Sequence, residues 1–175
     1  MRMFTEIFNR LYTNYLRTLG AQIGRNTSIS YKTDILQAHR VTIGSRCIIY
    51  KEVSIYIGPR GSLRMGDQSH LAPYSYLLIE NNILRLGNKV AVGPFCGFFC
   101  HSNYFSEPGI PFCDSYVDGN ILIGSNIFIG AQCIILPETH IEDNVIVGAN
   151  SLVKGTLENG HLYAGIPVKK IKRII

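Results

Sequence analysis

From Ile123 to Val153 an aliphatic residue returns at every sixth position: Ile123, Ile129, Ile135, Ile141, Val147 and Val153. Gly124, Gly130 and Gly148 follow three of them. Three residues on stands a polar site (Asn126, Gln132, Glu138, Asn144, Asn150), and a small or β-branched residue comes next (Ile127, Cys133, Thr139, Val145, Ser151). A spacing of six turns a helix through about 240° per repeat and scatters the aliphatics over three faces. A strand, with its period of two, keeps them all on one face. One strand of that length is far outside the usual range. The pattern therefore predicts short strands with a bend in every hexapeptide, stacked as coils around a continuous aliphatic core. Gly and Asn are expected at the bends, because both tolerate positive φ.

The same register runs back towards the N-terminus, less regularly, through Ile23, Ile29 and Ile35, then Ile43, Ile49 and Ile55, then Met65, Leu71 and Leu77, then Leu86, Val92 and Phe98. Five or six coils are expected. Residues 102–119 leave the register and read as a protruding loop, rich in aromatic and turn residues. Ahead of the repeat, Phe4, Ile7, Phe8, Leu11, Tyr12, Tyr15, Leu16 and Leu19 follow the spacing of an amphipathic helix over residues 1–20, with Gly20 as its stop. Such a helix can cover the open end of the stack or lie on a membrane surface through its arginines. The expected organisation is thus a helix over 1–20, a repeat domain over 21–165 and a basic tail over 166–175, the tail predicted as a short helix.

These residues resemble the hexapeptide-repeat acyltransferases, and in particular the branch of galactoside, maltose and polysaccharide O-acetyltransferases. The resemblance covers nearly all of Ile23 to Ile171 and is strongest from Val92 onward. It implies an all-β, left-handed parallel β-helix of triangular coils. It also implies a homotrimer that binds acetyl-CoA between adjacent solenoids. Handedness and triangle come from the resemblance, since ordinary parallel crossovers are right-handed.

Composition narrows the partners. The chain has 175 residues, 46% hydrophobic and 17% charged, and a net charge of +5. That suits an anionic small ligand. No stripe of basic and aromatic residues marks a nucleic-acid surface, so no nucleic acid is expected. No stretch reads as a secretory signal or membrane span. The cysteines are odd in number and lack zinc-type spacing. Cys47, Cys96 and Cys133 share the small inward site of the repeat, which makes them core residues. Reduced thiols without an export signal suggest the cytoplasm.

Candidate chemistry centres on His101, in "GFFCHSNYF", where the repeat breaks into the loop. The resembling acetyltransferases carry a catalytic His just before such a loop, one coil ahead of an "NVWIG" strand that here reads "NIFIG". His101 is then the general base for an acceptor hydroxyl. Glu80, Asn81 and Asn82 lie on the preceding coil, with Glu80 and Asn81 the favoured partners, and Asp114 and Asp118 in the loop are rivals. Together Glu80, Asn81, Asn82 and Asp114 are the expected acceptor-binding set. Cys100 adjoins His101 but should face the other way. For the donor, the resemblance assigns Phe128, Ala131, Ala149, Lys154, Lys169 and Lys170 to CoA. No metal is expected, because no His set accompanies His101. Acetyl transfer from acetyl-CoA to a sugar hydroxyl, in bacterial surface-polysaccharide synthesis, is the leading expectation. N-acetylation of an amino-sugar nucleotide and a non-catalytic scaffold are the alternatives.

Overall fold

The computed structural model describes residues 2–175, with Arg2 described by its backbone alone. After an N-terminal helix, Arg2–Thr18, the chain winds into a solenoid of stacked coils. Among the described residues, three parallel sheets form its sides. The first face has seven strands, from Gln22–Ile23 to Thr156–Leu157. The second has seven parallel strands, from Ser28–Ile29 to His161–Ala164, plus one antiparallel strand, and the third has six, from Asp34–Ile35 to Leu152–Val153. This amounts to six complete coils and two sides of a seventh.

The hexapeptide register sets the stacking. On the first face Ile23, Ile43, Met65, Leu86, Ile123, Ile141 and Leu157 lie one above the next. On the third, Ile35, Ile55, Leu77, Phe98, Ile135 and Val153 do the same. Nearly all of these side chains are buried. Each contributes about 1.5–3 kcal/mol by leaving water, before the entropy of ordering the chain. Cys47, Cys96 and Cys133 fill the small inward sites as expected, each fully buried or nearly so. The interior is therefore solid, and ligands must bind on the outside.

The bends take the expected positive φ at Asn, and at other polar residues, but not at the repeat glycines. Positive φ falls on the polar residues, including Asn126 (58°), Gln132 (60°), Glu138 (65°), Asn144 (57°) and Asn150 (56°). Gly124, Gly130 and Gly148 have ordinary φ. They are glycine because the coils touch there: a Cβ on Gly130 would sit 2.4 Å from the Ala149 amide nitrogen, and one on Gly124 would sit 2.4 Å from Asp143 Oδ1.

At one end of the stack the expected helix is present, and at the other the expected helix is not. The N-terminal helix lies against the first coil through Thr13 and Leu16, both 2% exposed, and the half-buried Tyr12. The Tyr12 hydroxyl donates to the Thr33 carbonyl at 2.8 Å. Phe4, Ile7, Phe8, Leu11, Tyr15 and Leu19 remain exposed, so most of the apolar stripe points away from the solenoid. The basic tail is not a helix. Lys169–Arg173 is a strand, paired antiparallel with His161–Ala164. The last coil leaves an unpaired sheet edge, and the tail satisfies its backbone groups. The exposed lysines and arginine on the new edge discourage further pairing. Among the described residues no helix is long and apolar enough to cross a membrane.

Candidate active site

His101 stands on the corner where the chain passes from the third face to the first. The excursion there is a hairpin rather than an irregular loop. His101–Asn103 pairs antiparallel with Tyr116–Asp118, in the register His101 to Asp118, Ser102 to Val117 and Asn103 to Tyr116. Directly opposed residues of such a pair point to the same side, so the hairpin register places Asp118 against His101. His101 Nδ1 lies 3.0 Å from Asp118 Oδ1. The Asn82 side-chain amide donates to the same carboxylate oxygen at 2.9 Å and to the Cys100 carbonyl at 3.0 Å. Tyr116 stacks on the imidazole at 4.8 Å, with the ring planes 23° apart.

This arrangement fixes what the ring can do. Two hydrogen bonds, the stronger from Asn82 and the other from His101, hold the Asp118 carboxyl below its ordinary pKa and keep it a carboxylate. A carboxylate only accepts, so in the neutral ring Nδ1 carries the proton and Nε2 has the lone pair. Among the described residues Nε2 has no hydrogen-bond partner. The His101 side chain is 27% exposed, enough for an acceptor to reach it. Cys100 is fully buried, on the opposite side of the strand. Burial pushes its thiol up to about 12, so it is no nucleophile at neutral pH.

Among the described residues the other expected partners, Glu80, Asn81 and Asp114, make no hydrogen bond with His101. The Glu80 carbonyl accepts the Gly58 amide at 2.8 Å, and Glu80 itself turns the corner with φ 49°. Asn81 Oδ1 faces the preceding coil and accepts the Arg60 amide at 3.1 Å. Asp114 ends a short 3-10 turn, Phe112–Asp114, where its neighbour Cys113 donates to it. Asn82, less favoured on the preceding coil, and Asp118, a rival from the loop, are the residues that meet at His101. Only the return strand of the hairpin could have revealed this, through the alternation in "SYVDG".

The residues expected at CoA are split by the coil. Phe128 is 50% exposed on the second face, between Ala91 and Ile146 in register. It lines a groove of about 310 Å³ with Lys89, Asn126, Asn144 and the C-terminal Ile174 and Ile175. Ala131 and Ala149 occupy the corner from the second face to the third, one coil apart. Lys154 follows the strand Leu152–Val153, at the corner where His101 also lies, two coils further up. Lys169 and Lys170 lie on the antiparallel edge strand, and Lys170 is ion-paired with Glu158. Within one chain Phe128, Ala131 and Ala149 therefore sit on other sides of the coil from His101. Among the described residues no group of three His, Cys, Asp or Glu side chains converges as a metal site.

Comparison with known proteins places this geometry. Residues 120–155 match the model for the bacterial transferase hexapeptide (six repeats). AntD from Bacillus cereus, an N-acyltransferase solved in complex with dTDP and 3-hydroxybutyryl-CoA, superposes with a TM-score of 0.81. It is 27% identical, and the match covers 93% of this chain and 88% of AntD. The chain carries the hexapeptide repeat and the fold of the hexapeptide-repeat acyltransferases. Two further members of that superfamily come from Escherichia coli. A dTDP-4-amino-4,6-dideoxy-D-glucose acyltransferase is 26% identical over 85% of this chain and 80% of its own length. WbbJ of strain K12, provisionally named a lipopolysaccharide biosynthesis O-acetyl transferase, is 30% identical over 64% of this chain and 58% of its own. The hexapeptide-repeat acyltransferases thus include relatives that differ in the atom acylated, and both bear on this chain.

Proposed function

We propose that this protein moves an acetyl group from acetyl-CoA to a sugar hydroxyl, with His101 as general base. The observation that carries the reading is the His101–Asp118 pair, with Nε2 left free and partly exposed. Nε2 takes the proton as the acceptor oxygen attacks the thioester carbonyl, and Asp118 stabilises the imidazolium that forms. Collapse of the tetrahedral adduct breaks the C–S bond, and the imidazolium returns its proton to the departing thiolate. The products are an acetyl ester and CoA.

The groove at Phe128 offers an apolar wall for the pantetheine. Ala131 and Ala149 allow its close approach at the corner, and Lys154, Lys169 and Lys170 offer charge to its phosphates. Because Phe128, Ala131 and Ala149 lie on other sides of the coil from His101, a productive site needs the donor groove of a neighbouring copy. A closed threefold homotrimer supplies one. The acceptor set is Asn82 and Asp118 at the base, with Glu80, Asn81 and Asp114 nearby in sequence, and the exposed rings of Tyr104, Phe105 and Phe112 suit the apolar face of a pyranose. WbbJ's name supports a place in surface-polysaccharide synthesis. The free thiols Cys47, Cys96, Cys100, Cys113 and Cys133 suit the cytoplasm.

A second reading is favoured by the likeness to AntD and to the dTDP-amino-sugar acyltransferase. In it the same base serves an amine. The products separate the two. With radiolabelled acetyl-CoA and a panel of sugar precursors, label lost in mild alkali marks an ester. Label that survives marks an amide and replaces the hydroxyl reading. Failure to bind acetyl-CoA at all would leave only a scaffold.

A further inference from the structure

The outward row of the first face runs Gln22, Thr42, Arg64, Arg85, Leu122, His140 and Thr156, each residue in register with the next. Arg64 and Arg85 therefore stand directly opposite each other on neighbouring strands, about 4.8 Å apart. Like charges so placed repel, and sheets ordinarily avoid the arrangement. Among the described residues neither guanidinium has an ion pair or side-chain hydrogen bond. The carboxylates at the adjoining corner are already committed: Asp67 Oδ1 accepts the Ser45 amide at 2.8 Å, and Asp143 Oδ1 accepts the Ser125 amide at 2.6 Å. Both arginines line a groove of about 230 Å³ with Thr42, Asn88 and Ser125. A second groove, of about 340 Å³, continues from Arg85 to His140. A local rule broken without compensation inside the fold points to a ligand outside it.

We propose that Arg64 and Arg85 bind the diphosphate of an acceptor whose sugar is linked through its anomeric carbon to a nucleoside diphosphate or a polyprenyl diphosphate. The proposal rests on His101 as the base of a sugar acyltransferase. Two planar forks one strand spacing apart match two adjacent phosphoryl groups, each able to take paired N–H···O bonds. The placement also suits the distance. Asn82, which bonds Asp118 beside His101, lies in the bend just before the strand Ile83–Leu86, and Arg85 follows three residues later on that strand. That separation is at most about 10 Å, the order spanned by a pyranose ring and its anomeric linkage. Ile83, exposed between them, offers an apolar floor for the sugar.

Thermal unfolding with inorganic pyrophosphate tests the site without any turnover, with CoA present in excess to occupy the donor's own phosphate contacts. Pyrophosphate should raise the midpoint of the parent protein, and Arg64→Gln and Arg85→Gln should lose most of that rise. Each substitution relieves repulsion, so neither should lower the midpoint without ligand. In kinetics each should raise KM about tenfold or more for the diphosphate-linked acceptor relative to the phosphate-free sugar, as for a charged hydrogen-bond pair. A dTDP-linked sugar and a polyprenyl-diphosphate sugar in detergent micelles, run side by side, identify the source of the phosphate. An equal pyrophosphate shift in parent and variants overturns the proposal. So does a loss of acetyl-CoA affinity in Arg85→Gln with no effect on the acceptor, which would assign the arginines to the donor. Arginine-dependent pyrophosphate binding, with no acetyl transfer to any sugar, would instead retire the transferase reading and leave the diphosphate site standing.

Discussion

Replacing Asp118 by Asn keeps the shape of the side chain at His101 and removes its charge. The amide oxygen can still accept from Asn82 and from His101 Nδ1, so the ring need not turn. What is lost is the attraction between carboxylate and imidazolium as the proton arrives. At about 4 Å that attraction is roughly 1 kcal/mol in water and roughly 4 kcal/mol at an effective dielectric of 20. The Asp118 side chain is 57% exposed, which places it towards the watery end. A loss of about 1–2 kcal/mol follows, or roughly 5–30-fold in kcat. Asp118→Ala also frees the ring to rotate, and should approach the loss for His101→Ala, about 10²–10⁴-fold. Steady-state kinetics with saturating acetyl-CoA measures all three, and donor affinity and thermal midpoint should hardly move. If Asp118→Asn turns over like the parent while Glu80→Gln does not, the orienting carboxylate has been misassigned.

The Asn82 side-chain amide should report the titration of Asp118 by NMR. Because the folded pKa is depressed, its shift should hold from neutral pH down through the ordinary carboxylate range and change only below it. Any stability from this pair is therefore present above that range and lost as pH falls through the depressed value. Gly130→Ala forces a Cβ against the next coil and should cost about 1–3 kcal/mol in urea unfolding, whereas Gln132→Gly, at φ 60°, should stay within about 1 kcal/mol. Sedimentation should show one species near three times 19.5 kDa, and a stable, active monomer would remove the shared-site argument. Lys169→Glu should weaken acetyl-CoA more than Lys170→Glu, whose ammonium is already held by Glu158, and added salt should weaken the parent in the same way. Equal effects of the two would count against that division.

The hexapeptide register determined the solenoid by itself. Side-chain alternation and burial are local consequences of sequence, so the inward ladders and the thiols filling their small gaps were legible before any coordinates. His101 was marked as a candidate by its place where the register stops together with the resemblance to the acetyltransferases, and its role as base is a proposal. The tertiary structure decided what lies beside what. Asp118 is seventeen residues from His101 and meets it only because the excursion folds back as a hairpin in one particular register. Glycine at Gly130 answers to a neighbouring coil eighteen residues on, which no local rule for φ could show. The tail contains residues that a helix would accept, yet it became a strand because the last coil left an unpaired edge. The arginines Arg64 and Arg85 are twenty-one positions apart in sequence and become neighbours only through stacking. Sequence fixes which way each side chain faces along its own strand, and the pitch of the coil brings distant side chains together.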